Sequence, residues 1–287
     1  MKNILIPIIL STSLFSNNIS GISYFNYSDD DGFGMSRTYF TYKKEISNNF
    51  SYILQTDVGQ VGIDDRWTAY LKKAQADWLI SSGIKLSMGL IGMNMFNIQE
   101  KTWGNRFISK SALDLAGWSS SADLGIGFYK NYGKFSTSLL MTNGEGYQNS
   151  DVDGKQKISL QVVYGEKRLD KNTGYNFGLV YSNYDEDPGD SQKVKGIFGG
   201  WSNGTILTGM EYYTMNHGYI DASLMSLSIN YVFDNHLSVF IRHDNNENDI
   251  TMAGFMYSPT KGLKICPNVP DISAPNPTFK INFEFKF

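Results

Sequence analysis

The 287-residue chain lacks most of what would place a protein quickly. Its single cysteine, Cys266, excludes an intrachain disulfide and any multi-cysteine zinc or iron–sulfur site. Charged residues reach only 18%, against about 25% in an ordinary chain. The net charge of -3 gathers into no basic face, so a nucleic-acid partner is not expected. No run of 18 or more apolar residues occurs, and the mean hydropathy is -0.29, which excludes a bundle of membrane helices. Proline is scarce, at 7. What is plentiful is aromatic residues (Phe 18, Tyr 18 and Trp 5, together 14%) and 28 glycines, the composition of many short strands and tight turns.

The N-terminus reads as an address. Lys2 precedes Ile4–Phe15, an apolar stretch of 12 residues, too short to span a bilayer as a helix and of the right length for a secretory signal. Residues 1–20 are expected to be a signal peptide, cut between 16 and 20, and 21–287 an exported β-domain. The competing reading, a buried first strand, is opposed by Pro7 in its middle.

From Gly21 onward the period is two. In the last ten residues Phe279, Ile281, Phe283, Phe285 and Phe287 share one face, and Lys280, Asn282, Glu284 and Lys286 the other. Successive side chains of a strand point to opposite faces, so this is the pattern of a strand between an apolar and a polar medium. Ile158, Leu160, Val162 and Tyr164 repeat it, as do Leu237, Val239 and Ile241. About sixteen such segments are expected, the first over 21–28, the fifth over 84–96, the eighth over 155–168 and the last over 277–287. Connections after even strands are tight; those after odd strands are mostly longer, 97–118 most of all. Short turns at one end and long loops at the other suit a transmembrane antiparallel β-barrel of sixteen strands. Sixteen tilted strands of about 10 residues use about 160 positions, which the chain can supply. Outside 97–118 the odd-to-even loops hold fifteen acidic residues and no Lys or Arg, while basic residues gather near the tight turns. A soluble sandwich or β-helix is the alternative, but a barrel this wide has a lumen that side chains cannot fill.

The ending FKINFEFKF resembles the terminal strand of Gram-negative outer-membrane barrels, which their assembly machinery recognises by its C-terminal Phe, here Phe287. The stretch from Gly92 to Gly127, with FNIQEKTWGNRFISKSALDLAGWSSSADLGIGF, is similar to the segment of Gram-negative porins that runs from the fifth strand through the third long loop, relatives of the phosphate-selective porins included. LKKAQADWL and KGLKICPNV also look like strands of that group. The resemblance implies a passive, sixteen-stranded diffusion channel, homotrimeric, in the cell outer membrane among lipids and lipopolysaccharide. With short loops and no dense basic ladder, phosphate selectivity does not carry over.

In such a pore, charges at the narrowing select the ions. The narrowing is expected from the 97–118 segment, too apolar for a solvated tail: Phe107, and Leu113 and Leu115 on a short helix from about Ser109, would pack on the inner wall. Glu100, Lys101, Arg106, Lys110 and Asp114 would then face the lumen. On the wall, Arg37, Lys43, Lys73, Lys85, Lys157, Arg242, Lys264, Lys280 and Lys286 oppose Asp57, Asp77, Asp123, Glu211, Asp244 and Glu284. Nine cations against six carboxylates point to a weak preference for anions. The phase is ambiguous at Lys72-Lys73 and at Lys43-Lys44, where both faces carry charge. Tyr24, Tyr42, Tyr52, Trp67, Trp78, Tyr175 and Tyr231 near strand ends read as interfacial girdle residues. No enzyme, metal or cofactor is expected: GxSxG and HExxH are missing, and His217 with Asp221 and Ser223 is the one local grouping about a histidine. Two other functions compete with the pore, a plugged structural or adhesive barrel and a barrel hydrolase.

Overall fold

The computed structural model describes residues 18–60, 67–149, 154–187, 190–246 and 249–287. It is a closed antiparallel barrel of sixteen strands in which each pairs with its neighbours in sequence and the first pairs with the last. The strands are β1 (Ile19–Ser28), β2 (Gly32–Ser47), β3 (Phe50–Gln60), β4 (Trp67–Ser81), β5 (Ile84–Gly92) and β6 (Ala122–Tyr132). Then follow β7 (Phe135–Thr142), β8 (Lys157–Gly165), β9 (Gly174–Asp187), β10 (Asp190–Ser202) and β11 (Ile206–His217). The last are β12 (Ile220–Val232), β13 (Leu237–Asn245), β14 (Asp249–Thr260), β15 (Leu263–Val269) and β16 (Lys280–Lys286). The ring closes between β1 and β16, where Gly21 and Phe287 exchange both backbone hydrogen bonds at 3.2 Å. The signal peptide expected over 1–20 lies mostly outside the described residues; β1 takes up its last two positions.

The outward phase is apolar around the ring: Phe25, Phe40, Trp78, Phe128, Leu139, Ile197, Ile229 and Phe285 are exposed. A soluble protein would not leave such a belt uncovered, whereas lipid requires it. No helix among the described residues is long and apolar enough to cross a membrane, so any crossing is made by strands. Trp67, Trp78, Tyr175 and Tyr231 lie exposed at strand ends, as girdle residues should. Tyr24 does not: it is buried on the inner face, edge-on to Tyr39 with ring centroids 6.1 Å apart.

Several strand boundaries differ from expectation, two of them with consequences for the site. β5 stops at Gly92 rather than 96, because Met93, Met95 and Phe96 turn inward with the segment that follows and are buried there. β8 begins at Lys157, which leaves Lys155 in a connection otherwise expected to carry no cation. The contrast in loop length is also narrower. β1–β2 and β11–β12 are joined through 29–31 and 218–219, as tightly as the turns at the opposite end. The long connections are 93–121, 143–156 and 270–279.

Candidate functional site: the segment inside the barrel

The connection between β5 and β6 folds into the barrel. It forms α1 (Asn97–Trp103) and the single turn α2 (Ala112–Leu115). Gly104, at φ 75°, ends α1 in the left-handed conformation that glycine adopts without strain. Its apolar side chains meet a matching strip of wall. Met95, Phe96, Ile98, Ala112, Leu113 and Trp118 pack with Val163, Val180, Val194, Phe198, Tyr213 and Leu224 of β8 to β12. Trp103 and Phe107 pack with Phe240, Met252, Met256 and Cys266 of β13 to β15 and with Tyr24 and Tyr39. Phe107 and Leu113 thus take the places expected of them; Leu115 does not, being 50% exposed.

Polar pairs and missing side chains fix the docking. Gln99 Nε2 donates to Tyr213 Oη at 3.0 Å, and that hydroxyl donates to buried Glu211 at 2.7 Å. Asn105 reaches Asn230 at 2.5 Å, and Gln161 Nε2 donates to Asn97 Oδ1 at 3.0 Å. Gly200 and Gly209 let α1 approach: a Cβ on either would stand 2.5 Å and 3.2 Å from the Thr102 methyl. Here a part of the glycine excess has its use.

With most of β8 to β15 covered, open space is left along β1 to β6 and at the long-loop ends of β8 to β10, in two chambers. One, about 640 Å³, is reached from the long-loop end and lined by Arg37, Lys110, Asp114, Glu145, Tyr147 and Lys157. The other, about 420 Å³, lies toward the tight turns and is lined by Tyr39, Lys72, Lys73, Lys85, Glu100 and Lys101. Arg106 and Ser121 line both, and so mark where one chamber gives way to the other.

Four of the five expected loop residues form one network around that point. Arg106 Nε lies 2.9 Å from Glu100 and its Nη2 3.4 Å from Asp114, which also meets Lys110 at 3.5 Å. Burial opposes the charge of Arg106, but Glu100, Tyr39 and Asp114 hold it above the ordinary arginine range. Lys101 stands apart in the smaller chamber, where burial and then Arg168 push it below the ordinary lysine range.

On the wall opposite, Arg37 is ion-paired with buried Asp57 and donates to Tyr70 Oη at 3.0 Å and Tyr147 Oη at 3.1 Å. Asp77 is paired with Lys85 at 3.2 Å. Arg242 is elsewhere: 1% exposed, it lies beneath the inserted segment, clasping Asp244 at 2.8 and 2.7 Å, donating to the Lys110 carbonyl at 2.6 Å, 4.9 Å from the Trp103 ring. It anchors the segment and does not line the open space.

The ambiguous pair Lys72-Lys73 has a structural answer. Leu71 pairs with Thr56 and Lys73 with Gln55, so Lys72 is the extra residue of a β-bulge. Tyr70 and Lys72 point inward before it, and Lys73, Gln75 and Asp77 after it. Both lysines line the smaller chamber. Lys72 donates to Ser121 Oγ at 3.0 Å and lies 5.1 Å and 4.6 Å from the Tyr39 and Tyr147 rings. Among the described residues no carboxylate pairs with either lysine, whereas Arg37, Lys85 and Arg106 each have one. Period-two reading assigns one face per residue, so a bulge is what it misses.

The histidine grouping does not assemble: Asp221 accepts from Asn216 instead, while His236 and His243 bond the Ser258 carbonyl and Thr251 hydroxyl at 2.8 Å. Among the described residues no group of three His, Cys, Asp or Glu could hold a metal ion.

No protein-family model matches the chain, and no curated protein matches it in sequence. Solved structures do match in shape. A triple mutant of the Rhodopseudomonas blastica porin superposes with a TM-score of 0.66 at 13% identity, covering 94% of this chain and 99% of that one. Another mutant of that porin gives 0.64 at 12% identity over the same shares. At such identities the likeness is one of fold: the chain is a sixteen-stranded antiparallel barrel like those of bacterial porins.

Proposed function

We propose that the protein is an outer-membrane porin: a water-filled pore through which small hydrophilic solutes and ions diffuse passively, with a weak preference for anions. One observation carries this reading. The inserted segment buries apolar side chains against β8 to β15 and, through Phe107, against Tyr24 and Tyr39, while Glu100, Lys101, Arg106, Lys110 and Asp114 line the two chambers, so it narrows the lumen and leaves a polar passage beside it. The anion preference rests on Lys72, Lys73 and Lys101, whose charges face the passage without a paired carboxylate, and a channel wall of low dielectric focuses such charge. Homotrimeric assembly and recognition of the strand ending in Phe287 by the assembly machinery belong to the same reading, as does removal of a leader before β1.

Planar-bilayer recording of the purified protein tests it. A porin gives ohmic conductance steps, a reversal potential in a KCl gradient of the sign for anions, and liposome swelling with a sugar-size limit. Cation selectivity removes the anion preference; no conductance and no swelling favours the plugged barrel.

A further inference from the structure

The strand wall has a gap. Residues 74–81 of β4 pair with β5, but among the described residues 67–73 pair only with β3, because β5 leaves the wall at Gly92. The gap begins at Trp67, one of the exposed girdle residues, and so opens at the level of the apolar belt. A cavity of about 500 Å³ occupies it. Its lining mixes the two phases of the wall: Leu71, Ala74, Leu90 and Leu124 from the outward one, Thr68 and Tyr70 from the inward one. Side chains of an unbroken sheet are held on opposite faces, so only a break brings both into one cavity.

Between this cavity and the larger chamber stands the 143–149 connection rather than a strand, since Glu145, Tyr147 and Gln148 line both. The Tyr147 ring lies 5.9 Å from that of Tyr70. Its hydroxyl accepts from Arg37 at 3.1 Å and from Lys72 at 3.5 Å. Two cations thus share one phenol oxygen, a poorer acceptor than a carboxylate. The nearby carboxylates are engaged: Asp57 by Arg37 and Tyr70, Asp123 by the Gly144 amide, Glu145 by the Tyr184 hydroxyl. An apolar cavity with a few polar groups at one end has the form of a small-molecule site.

Resting on the reading of the chain as a membrane pore, we propose that the gap is a side port for amphiphilic monocarboxylates and that Tyr147 closes it. The tail lies against Leu71, Ala74, Leu90 and Leu124. The carboxylate takes over the hydrogen bonds of Arg37 and Lys72, the Tyr147 ring moves off Tyr70, and the molecule reaches from the lumen into the bilayer.

Photolabelling of the protein in phosphatidylcholine nanodiscs tests it, with decanoate carrying a diazirine at its tail as the probe. Saturable labelling is expected at Leu71, Leu90 and Leu124, competed by decanoate at least about tenfold better than by decanol, acetate or decyltrimethylammonium. Lys72→Gln should weaken it about tenfold. Tyr147→Ala, which removes the competing hydroxyl, should tighten it about threefold. Lys130→Gln, exposed at the opposite rim, should leave it within about twofold. Labelling spread evenly around the belt, or equal competition by decanol, overturns the proposal. Weaker labelling in Tyr147→Ala overturns the role of that ring, and crosslinks from Leu71 or Leu90 to a second copy show the gap covered by protein and overturn the port. Conductance of the same variants is recorded separately: conductance without labelling removes the port alone, and labelling without conductance removes the pore reading.

Discussion

Arg106 is the residue whose replacement should change transport most. It lines both chambers, and around it stand the cations Arg37, Lys72 and Lys110 and the carboxylates Asp57, Glu100 and Asp114. Arg106→Gln turns four cations against three carboxylates into an even balance. For an ion passing about 7 Å away, one unit charge is worth about 0.6 kcal/mol at the dielectric of water and about 2.4 kcal/mol at an effective 20. Salt at 0.1 M, with a Debye length of about 10 Å, roughly halves this. Anion and cation shift in opposite senses, so the ratio of their permeabilities should fall by at least about threefold. The assay is the reversal potential across a tenfold KCl gradient with dilute sides, repeated in concentrated salt, where the difference should shrink. Both proteins must first show the same heat-dependent mobility in detergent gels, since Glu100 and Asp114 lose their partner. An unchanged ratio at low salt, with the barrel intact, would refute the placement of Arg106 on the ion path.

Other outcomes follow from the same geometry. Gly200→Leu puts a side chain where Thr102 stands; overpacking of about 1–3 kcal/mol should lift α1 from the wall and lower mean conductance, read in single-channel recordings. Trp103→Ala removes the side chain that fills the gap between Phe240 and Arg242, at a local cost of about 3–5 kcal/mol. It should make the open level noisy without unfolding the wall. Because Lys101 sits below the ordinary lysine range, its charge is present at low pH and lost early as pH rises; anion preference should weaken as pH rises toward the ordinary lysine range, less so in Lys101→Gln. In the exposed turn after β12, Asp234 accepts the His236 and Leu237 amides and titrates below the usual carboxylate range. Its stabilisation of the turn is therefore present above that range and lost as pH falls through the lowered value. Protection of the His236 and Leu237 amides, their exchange relative to the intrinsic rate at each pH, should fall in acid and be low at all pH in Asp234→Ala.

The barrel was legible because lipid imposes one rule on every strand: an apolar outward face at every second residue, as in TFKINFEFKF. The inserted segment was half legible. Its apolar content said that it packs; where it packs was written in residues that break the rule, Val163, Val180, Val194, Phe198, Leu224 and Phe240, apolar side chains on the inward phase. They are confined to the wall that the segment covers. α1 was missed because NIQEKTW carries no capping side chain, with Phe96 at the N-cap; only Gly104 marks its end. Arg242, legible as an inward cation, could not be told from a pore-lining one, because that depends on what lies over it. Lys72 was hidden by the bulge, an insertion that periodicity cannot register.

The pairing of β1 with β16 also bears on how the molecule is made. Fifteen of the sixteen strand contacts join neighbours in sequence and form locally, hairpin by hairpin. The sixteenth joins residues some 260 positions apart, such as Ile22 and Lys286, and it alone carries the entropy of closing so long a chain, about 5 kcal/mol. Until Phe287 is available to meet Gly21, the sheet has two free edges and no inside. Closing the ring therefore depends on one contact that no turn supplies, at the seam where Phe25 stands edge-on to Phe285 at 5.4 Å.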